Sequence, residues 1–293
     1  MRRFSFYIGI SILSFILLMA IIGPYLPMID TELSESLYIK HDNGKIEVPP
    51  YPPSKDYLLG SDRRGVDLLS RLVVGARETL VVIFGIVFIR FMIGLLLGLG
   101  SLYSRVIRGV LNIWYQLFSY IPSVFLIVMI VGIPFFLFSP SRAYWFVFVI
   151  ALIEVGRVGD VIYKLVKEIA GKPYYEAGIV AGCTPFRLSR KYIFPNMKSQ
   201  LVTIIVNELG RTLFLIAQLG IVGIFISMSF EADGFGGYNF INTSDSWALV
   251  LSGILKDMWS AKIIPMSAIF LISLTVLSFY LVGNGVIRRF NKR

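Results

Sequence analysis

The chain has one cysteine and one histidine among 293 residues. A single thiol excludes an internal disulfide framework, and one thiol with one imidazole makes no Cys/His metal set. His41 falls in a polar stretch and reads as a solvated loop residue. Cys183, beside Gly182, reads as a small residue in a turn. The phosphate-loop pattern Gly-x-x-x-x-Gly-Lys-Ser/Thr is missing, so the chain is not expected to hydrolyse ATP itself. No nucleophile stands beside a base, so no catalytic residue, metal or cofactor is expected. Charge is scarce too, at 16% of residues.

Apolar sequence fills the space. Hydrophobic residues make up 56% of the chain, against about 45–50% in soluble domains, and the mean hydropathy is +0.75. The excess is gathered in runs near 5–27, 79–103, 110–138, 143–163, 201–228 and 263–283. A membrane crossing takes about 20 apolar residues, so the pattern predicts an all-α integral membrane protein with six transmembrane helices. The first run follows Arg2 and Arg3. It exceeds the roughly 7–15 residues of a signal-peptide core and lacks a small-residue cleavage site, so it is read as a span.

The net charge of +10 is unevenly placed. Arg2 and Arg3 precede the first run, and Arg105 and Arg108 lie between the second and third. Lys164, Lys167, Lys172, Arg187, Arg190, Lys191 and Lys198 lie between the fourth and fifth, and Arg288, Arg289, Lys292 and Arg293 close the chain. With six spans these groups share one side, which positive charge marks as cytoplasmic, together with both termini. Segments 28–78 and 229–262 become outer loops. In the latter, Glu231, Asp233, Asp245 and Asp257 outnumber Lys256 and Lys262. Arg142 alone opposes the trend. Membrane lipid is therefore the medium, and nucleic acid is not an expected partner.

Segment 164–200 interrupts the apolar pattern with YYEAGIVAGCTPFRLSRKYIFPN at 174–196. Pro173 suits the first position of a helix, and Gly182 suits a left-handed end to it. Thr184 is placed to cap a second helix with Pro185 at its start. Pro195 is expected to end that helix and to bias Phe194 towards extended backbone. Helices this short are marginal in water, so packing against an external surface is expected. Three readings compete: a plain connecting loop, a basic DNA-reading helix pair, and a docking element for a cytoplasmic partner. The lack of a surrounding soluble domain counts against the second.

Glu176-Ala177-Gly178, Gly182 and Phe194-Pro195-Asn196 stand in the register of the Glu-Ala-Ala loop of ABC importer permeases, which this stretch resembles. Gly178 replaces the second alanine, Phe194 replaces leucine, and Tyr192 occupies the hydrophobic position. LGSDRRGVDLLSRLVVGARETL at 59–80 is similar to the segment before the second span in the C-type permease subunit of the dipeptide/oligopeptide/nickel family. There Gly60, Asp62, Gly65, Asp67, Ser70, Arg71, Gly75, Ala76 and Arg77 fit, while Val66 and Tyr57 depart. Asp245-Ser246-Trp247 and Gly283-Asn284-Gly285 fit in the same order. By its spacing alone, 59–80 also reads as an amphipathic helix at the outer interface leading into the second span.

The resemblance implies a type I ABC importer permease fold in a bacterial cell membrane, with residues 1–293 as one permease domain. It implies a coupling helix between spans four and five that fits a groove on an ATPase subunit. Glu176, Ala177, Gly178, Gly182, Thr184, Pro185, Arg187, Pro195 and Asn196 would form it. The implied partners are a second homologous permease subunit, two ABC ATPase subunits and an extracellular or periplasmic solute-binding protein. The implied solutes are oligopeptides or dipeptides. A nickel, metallophore or haem permease of the same fold, and a non-transporting scaffold or sensor subunit, are the alternatives.

Charges within the apolar runs are the remaining leads. Arg90 lies in the second. Glu154, Arg157 and Asp160 step by helical spacing along the fourth, and Glu208 and Arg211 along the fifth, so each set is expected to pair. They either pair structurally or line a polar pathway.

Overall fold

Apolar runs with few breakers satisfy their backbone internally as helices. The computed structural model, which describes residues 4–40, 46–232 and 238–290, is helical through most of its length. Arg2, Arg3, His41, Asp233, Lys292 and Arg293 lie outside the described residues.

In chain order, α1 (Phe4–Ile22) leads into β1 (Ile39–Lys40) and β2 (Ile46–Glu47). Then come α2 (Leu68–Tyr103), α3 (Arg105–Ser119), α4 (Ser123–Val131), α5 (Pro134–Leu137), α6 (Arg142–Ile153) and α7 (Val155–Ala170). Two short helices follow, α8 (Pro173–Val180) and α9 (Pro185–Leu188). A π turn at Ser189–Ile193 joins α9 to α10 (Phe194–Ile221). The chain continues through β3 (Met228–Ala232), β4 (Tyr238–Asn242), α11 (Trp247–Leu251), α12 (Ile254–Ser260) and α13 (Ile263–Phe290). The helical architecture expected of the chain is present, and two short strand pairs stand in the loops between its helices. The strands form two antiparallel hairpins, in register Ile39↔Glu47 and Phe230↔Phe240. They fall where the apolar runs stop and β-favouring Tyr, Phe and Ile alternate with polar residues.

Among the described residues, Phe4–Tyr25, Leu68–Tyr103, Pro185–Ile221 and Ile263–Ile287 are each long and apolar enough to cross a membrane. Arg105–Ser119 and Ser123–Val131 make a fifth if counted as one span bent by 93°. The bend falls at Pro122, which has no N–H to give to a continuing helix. The run at 143–163 is divided between α6 and α7 at Glu154. The helix expected over 59–80 to lead into the second span is formed only from Leu68 onward. There α2 starts, with the Asp67 carboxylate accepting from the Ser70 N–H at 2.8 Å, and runs unbroken for 36 residues, about 54 Å at the α-helical rise.

The chain clusters into two compact units. One comprises residues 8–83 and 213–278. In it Trp247 is fully buried, and its indole N–H donates to the Leu72 carbonyl at 2.7 Å. The Glu78 carboxylate accepts from the Asp245 N–H at 2.6 Å and from the Ser244 hydroxyl at 2.7 Å. Asp245-Ser246-Trp247 is thus a strap tied to the first turns of α2. Arg71 pairs with Asp62 at 3.1 Å, and Arg63 with the buried Asp257 at 2.6 Å.

The other unit comprises residues 84–212 and 279–293 with the first residues of the chain. Here α7 is the amphipathic centre. Its buried face is Val158, Ile162, Val166 and Ile169, and its small residues admit close backbone approach. A Cβ added at Gly98 of α2 would stand 2.8 Å from the Gly159 carbonyl, and one at Gly156 would stand 2.7 Å from the Tyr115 nitrogen of α3. No larger residue fits either position without moving a helix.

Candidate functional site

The polar interruption between α7 and α10 is a helical hairpin. Pro173 opens α8 at the position where its missing N–H is harmless. Gly182 has φ +73°, the left-handed conformation expected of it. The Cys183 N–H donates to the Gly178 carbonyl at 3.1 Å and the Gly182 N–H to the Ile179 carbonyl at 2.9 Å, closing α8 with a Schellman motif. The Thr184 hydroxyl then accepts from the Arg187 N–H at 3.4 Å, and Pro185 opens α9.

Two expectations about this stretch fail. Pro195 does not end the second helix. Phe194 is helical (φ −53°, ψ −46°), and Pro195 sits in the first turn of α10. The π turn just before it widens the helix, which relieves the clash a proline ring makes with the carbonyl four residues back. The Asn196 side chain donates to the Tyr192 carbonyl at 2.7 Å and occupies an acceptor beside that break.

Nor does the hairpin lack a surface to pack against. Tyr175, Leu188, Ile193 and Met197 are buried in one cluster with Val158, Ile162, Val166 and Ile169 of α7. Burying each such side chain contributes about 1.5–3 kcal/mol. Gly178 permits this closeness, since a Cβ there would come within 2.9 Å of the Leu188 side chain and 3.1 Å of the Tyr192 ring. The Tyr175 and Tyr103 hydroxyls share a hydrogen bond at 3.2 Å, and burial with that bond pushes the Tyr175 phenol well above its ordinary range. What remains outside is a face with Ile179 at 54%, Phe186 at 74% and Val180 at 89% exposure, flanked by exposed Glu176, Ala177 and Arg187.

The charges in the apolar helices converge. Arg90 of α2 is fully buried. Its guanidinium donates to Glu208 at 3.1 Å, to the Thr212 hydroxyl at 3.0 Å and to the Ile150 carbonyl at 2.9 Å, and lies 3.0 Å from Glu154. Arg157 of α7 reaches both Glu208 oxygens, at 2.9 and 2.8 Å, and Glu154 at 2.8 Å. The Ser123 hydroxyl donates to Glu154 at 2.9 Å. Two guanidiniums and two carboxylates thus neutralise one another across α2, α7 and α10 and the break before α7.

The sequence reading paired Glu154 with Arg157 and had that right. It also paired Glu208 with Arg211, which is corrected here: Glu208 spends both oxygens on Arg90 and Arg157. These come from other helices, and spacing along α10 cannot reveal them. Asp160 leaves the set and pairs with the exposed Lys164 at 2.7 Å. Thr212 and Ser123 were missed. Thr212 was traceable, lying four residues after Glu208 on one helical face. Ser123, next to a proline bend, gave no signal.

Arg211 is exposed and, among the described residues, has no carboxylate partner. With Glu154 and Arg157 it borders an open cavity of about 450 Å³, whose other walls include Trp114, Tyr115 and Phe118 of α3.

The family model described as "Binding-protein-dependent transport system inner membrane component" matches residues 90–293. A dipeptide transport system permease protein of Bacillus subtilis is 26% identical over 285 residues, covering 95% of this chain and 78% of that protein. A peptide transport system permease protein of Salmonella typhimurium is 27% identical over 233 residues, covering 79% and 72%. A dipeptide transport system permease protein of Alkalihalophilus pseudofirmus is 24% identical over 280 residues, covering 95% and 83%.

Proposed function

The chain belongs to the binding-protein-dependent transport system inner membrane components, a family of ABC transporter permeases and not of ATPases, and on that premise we propose that it is the permease subunit of an ATP-driven importer of dipeptides or oligopeptides. It is a multi-pass membrane protein, and six crossings with both termini in the cytoplasm are the reading its charge distribution supports. A second permease subunit completes the pathway, two ATPase subunits supply the energy, and a solute-binding protein delivers the peptide.

One observation carries the coupling role. The hairpin 173–197 is braced from within yet presents Ile179, Val180 and Phe186 to the outside. Loops that merely connect seldom combine a packed inner face with an apolar outer one, and exposed apolar patches of this kind mark protein contacts. Glu176, Ala177, Gly178, Gly182, Thr184, Pro185, Arg187, Pro195 and Asn196 shape the element. Closure of the ATPases on ATP then displaces it and turns the pathway from one side to the other.

The test uses the purified complex. Gly182→Val forces a branched side chain into left-handed backbone, and Glu176→Lys sets a cation in the first turn of α8 against the helix dipole. Both lie outside the apolar helices, so insertion is expected to be unchanged. Loss of ATPase subunits on purification, or loss of the hydrolysis stimulated by the loaded binding protein, is the expected result. Normal retention and normal uptake by both variants would reduce the hairpin to a connection.

A further inference from the structure

The cavity beside the buried charges has an electrical imbalance that the quartet does not explain. Arg90 and Arg157 are matched by Glu154 and Glu208 at 2.8–3.1 Å. Arg211, three residues beyond Glu208 on α10, adds a third guanidinium to those two carboxylates. Both carboxylates are already engaged by two guanidiniums each, so neither is free to hold a ligand's ammonium group. The cavity wall is therefore electropositive through one side chain, whose five N–H donors in a planar fork match a carboxylate. A cation on an apolar helix is costly unless it reaches water or a counter-ion, and here it borders an open space. The lining also includes the aromatic side chains of Trp114, Tyr115 and Phe118. A volume of about 450 Å³ lies within the span of small-molecule sites, about 300–1,000 Å³.

We propose that this cavity is a solute subsite that binds the free C-terminal carboxylate of a short peptide on Arg211, with the peptide's side chains against the α3 aromatics. The inference rests on the importer reading and adds to it a polarity: the carboxyl end is recognised by this chain and the amino end is not. The carboxylate gains a charge-assisted, bidentate contact, whereas an amidated terminus offers no negative charge to the guanidinium.

The permease–ATPase complex in phosphatidylcholine nanodiscs, without binding protein, is titrated calorimetrically with trialanine, trialanine amide and N-acetyl-trialanine. Trialanine and its N-acetyl form are expected to bind comparably, and the amide about tenfold or more weaker, as befits loss of a hydrogen bond to a charged group. Arg211→Gln is expected to remove the preference for acid over amide, and Arg211→Lys to keep part of it. The readout is a ratio within each variant, so a lower yield of folded protein does not imitate it. Equal affinity for acid and amide in the unaltered protein, no binding of any of the three peptides, or an unchanged preference in Arg211→Gln would overturn the proposal. Loss of the preference when phosphatidylglycerol is added would also overturn it, by giving Arg211 to a lipid headgroup. The importer reading is judged separately, by ATP-driven peptide uptake in proteoliposomes with the binding protein. No uptake sinks that reading, whereas uptake without an acid preference in the nanodisc titration sinks only the subsite.

Discussion

Glu208 holds two arginines in place from two other helices, and its loss is a test of what the buried quartet does. Glu208→Gln leaves Arg90 and Arg157 sharing Glu154 alone. Removing one partner of a buried ion pair costs about 3–5 kcal/mol, so a clear drop in melting temperature and in folded yield is expected. Replacing Arg90 by Met as well removes the orphaned cation and should restore part of that loss, because the two residues are in direct contact. Arg211→Gln should leave the melting temperature within the noise of a surface change, about 0.5 kcal/mol, since no ion pair is broken. Thermal unfolding of the purified complex, followed for each variant, separates these outcomes. The residue scale is also where reading along the chain fell short. Arg90, Glu154, Arg157 and Glu208 were visible as misfits in apolar runs, because charge in a membrane demands a reason. Their pairing was not, because helical spacing reports neighbours on one helix and each of the four side chains finds a partner on another.

At the scale of elements, local chemistry was a good guide where a single residue decides. Gly182 and Thr184 act as expected: one takes φ +73° and the other caps α9. Pro195 misled, because a π turn absorbs it and propensity carries no sign of that turn. Gly178, which replaces the second alanine, is a packing residue, seated under Leu188 and Tyr192. Gly178→Val is therefore expected to destabilise the hairpin by about 1–3 kcal/mol through overpacking, seen as faster proteolysis within 173–197. Phe186→Asp, by contrast, alters a side chain 74% exposed. The expected result is a normal melting temperature for the isolated permease and at least a tenfold weaker grip on the ATPase subunits, about 1.4 kcal/mol. Unchanged ATPase affinity in Phe186→Asp would take the exposed face out of the contact.

For the molecule as a whole, the apolar runs located the long helices but neither their ends, since α2 begins at Leu68 and not near 79 and α10 ends at Ile221 and not near 228, nor their breaks. The run at 110–138 contains a right-angled bend and that at 143–163 a step at Glu154, because hydropathy measures solvent preference and is blind to helix direction. Orientation rests on charge, and labelling checks it. With Cys183 replaced by Ser, a thiol placed at Asn242 should react with an impermeant maleimide in intact cells, and one at Ser189 should react only after lysis. Reaction at Ser189 from outside would invert the topology.

From Pro185 to Ile221 the chain never leaves helical geometry. The residue that begins the hairpin's second helix and the residues that hold Arg157 and border the cavity therefore belong to one shaft. Ser189 and Glu208 lie about 29 Å apart along it at the α-helical rise, with no loop between them to swallow a displacement. On the coupling reading, a tilt imposed at Phe186 would be passed on as a crank passes torque, through the π turn at Ser189–Ile193 where the helical geometry changes. Stiffening this turn and loosening it should alter the ratio of peptides moved to ATP spent, even though neither change touches a nucleotide or a peptide.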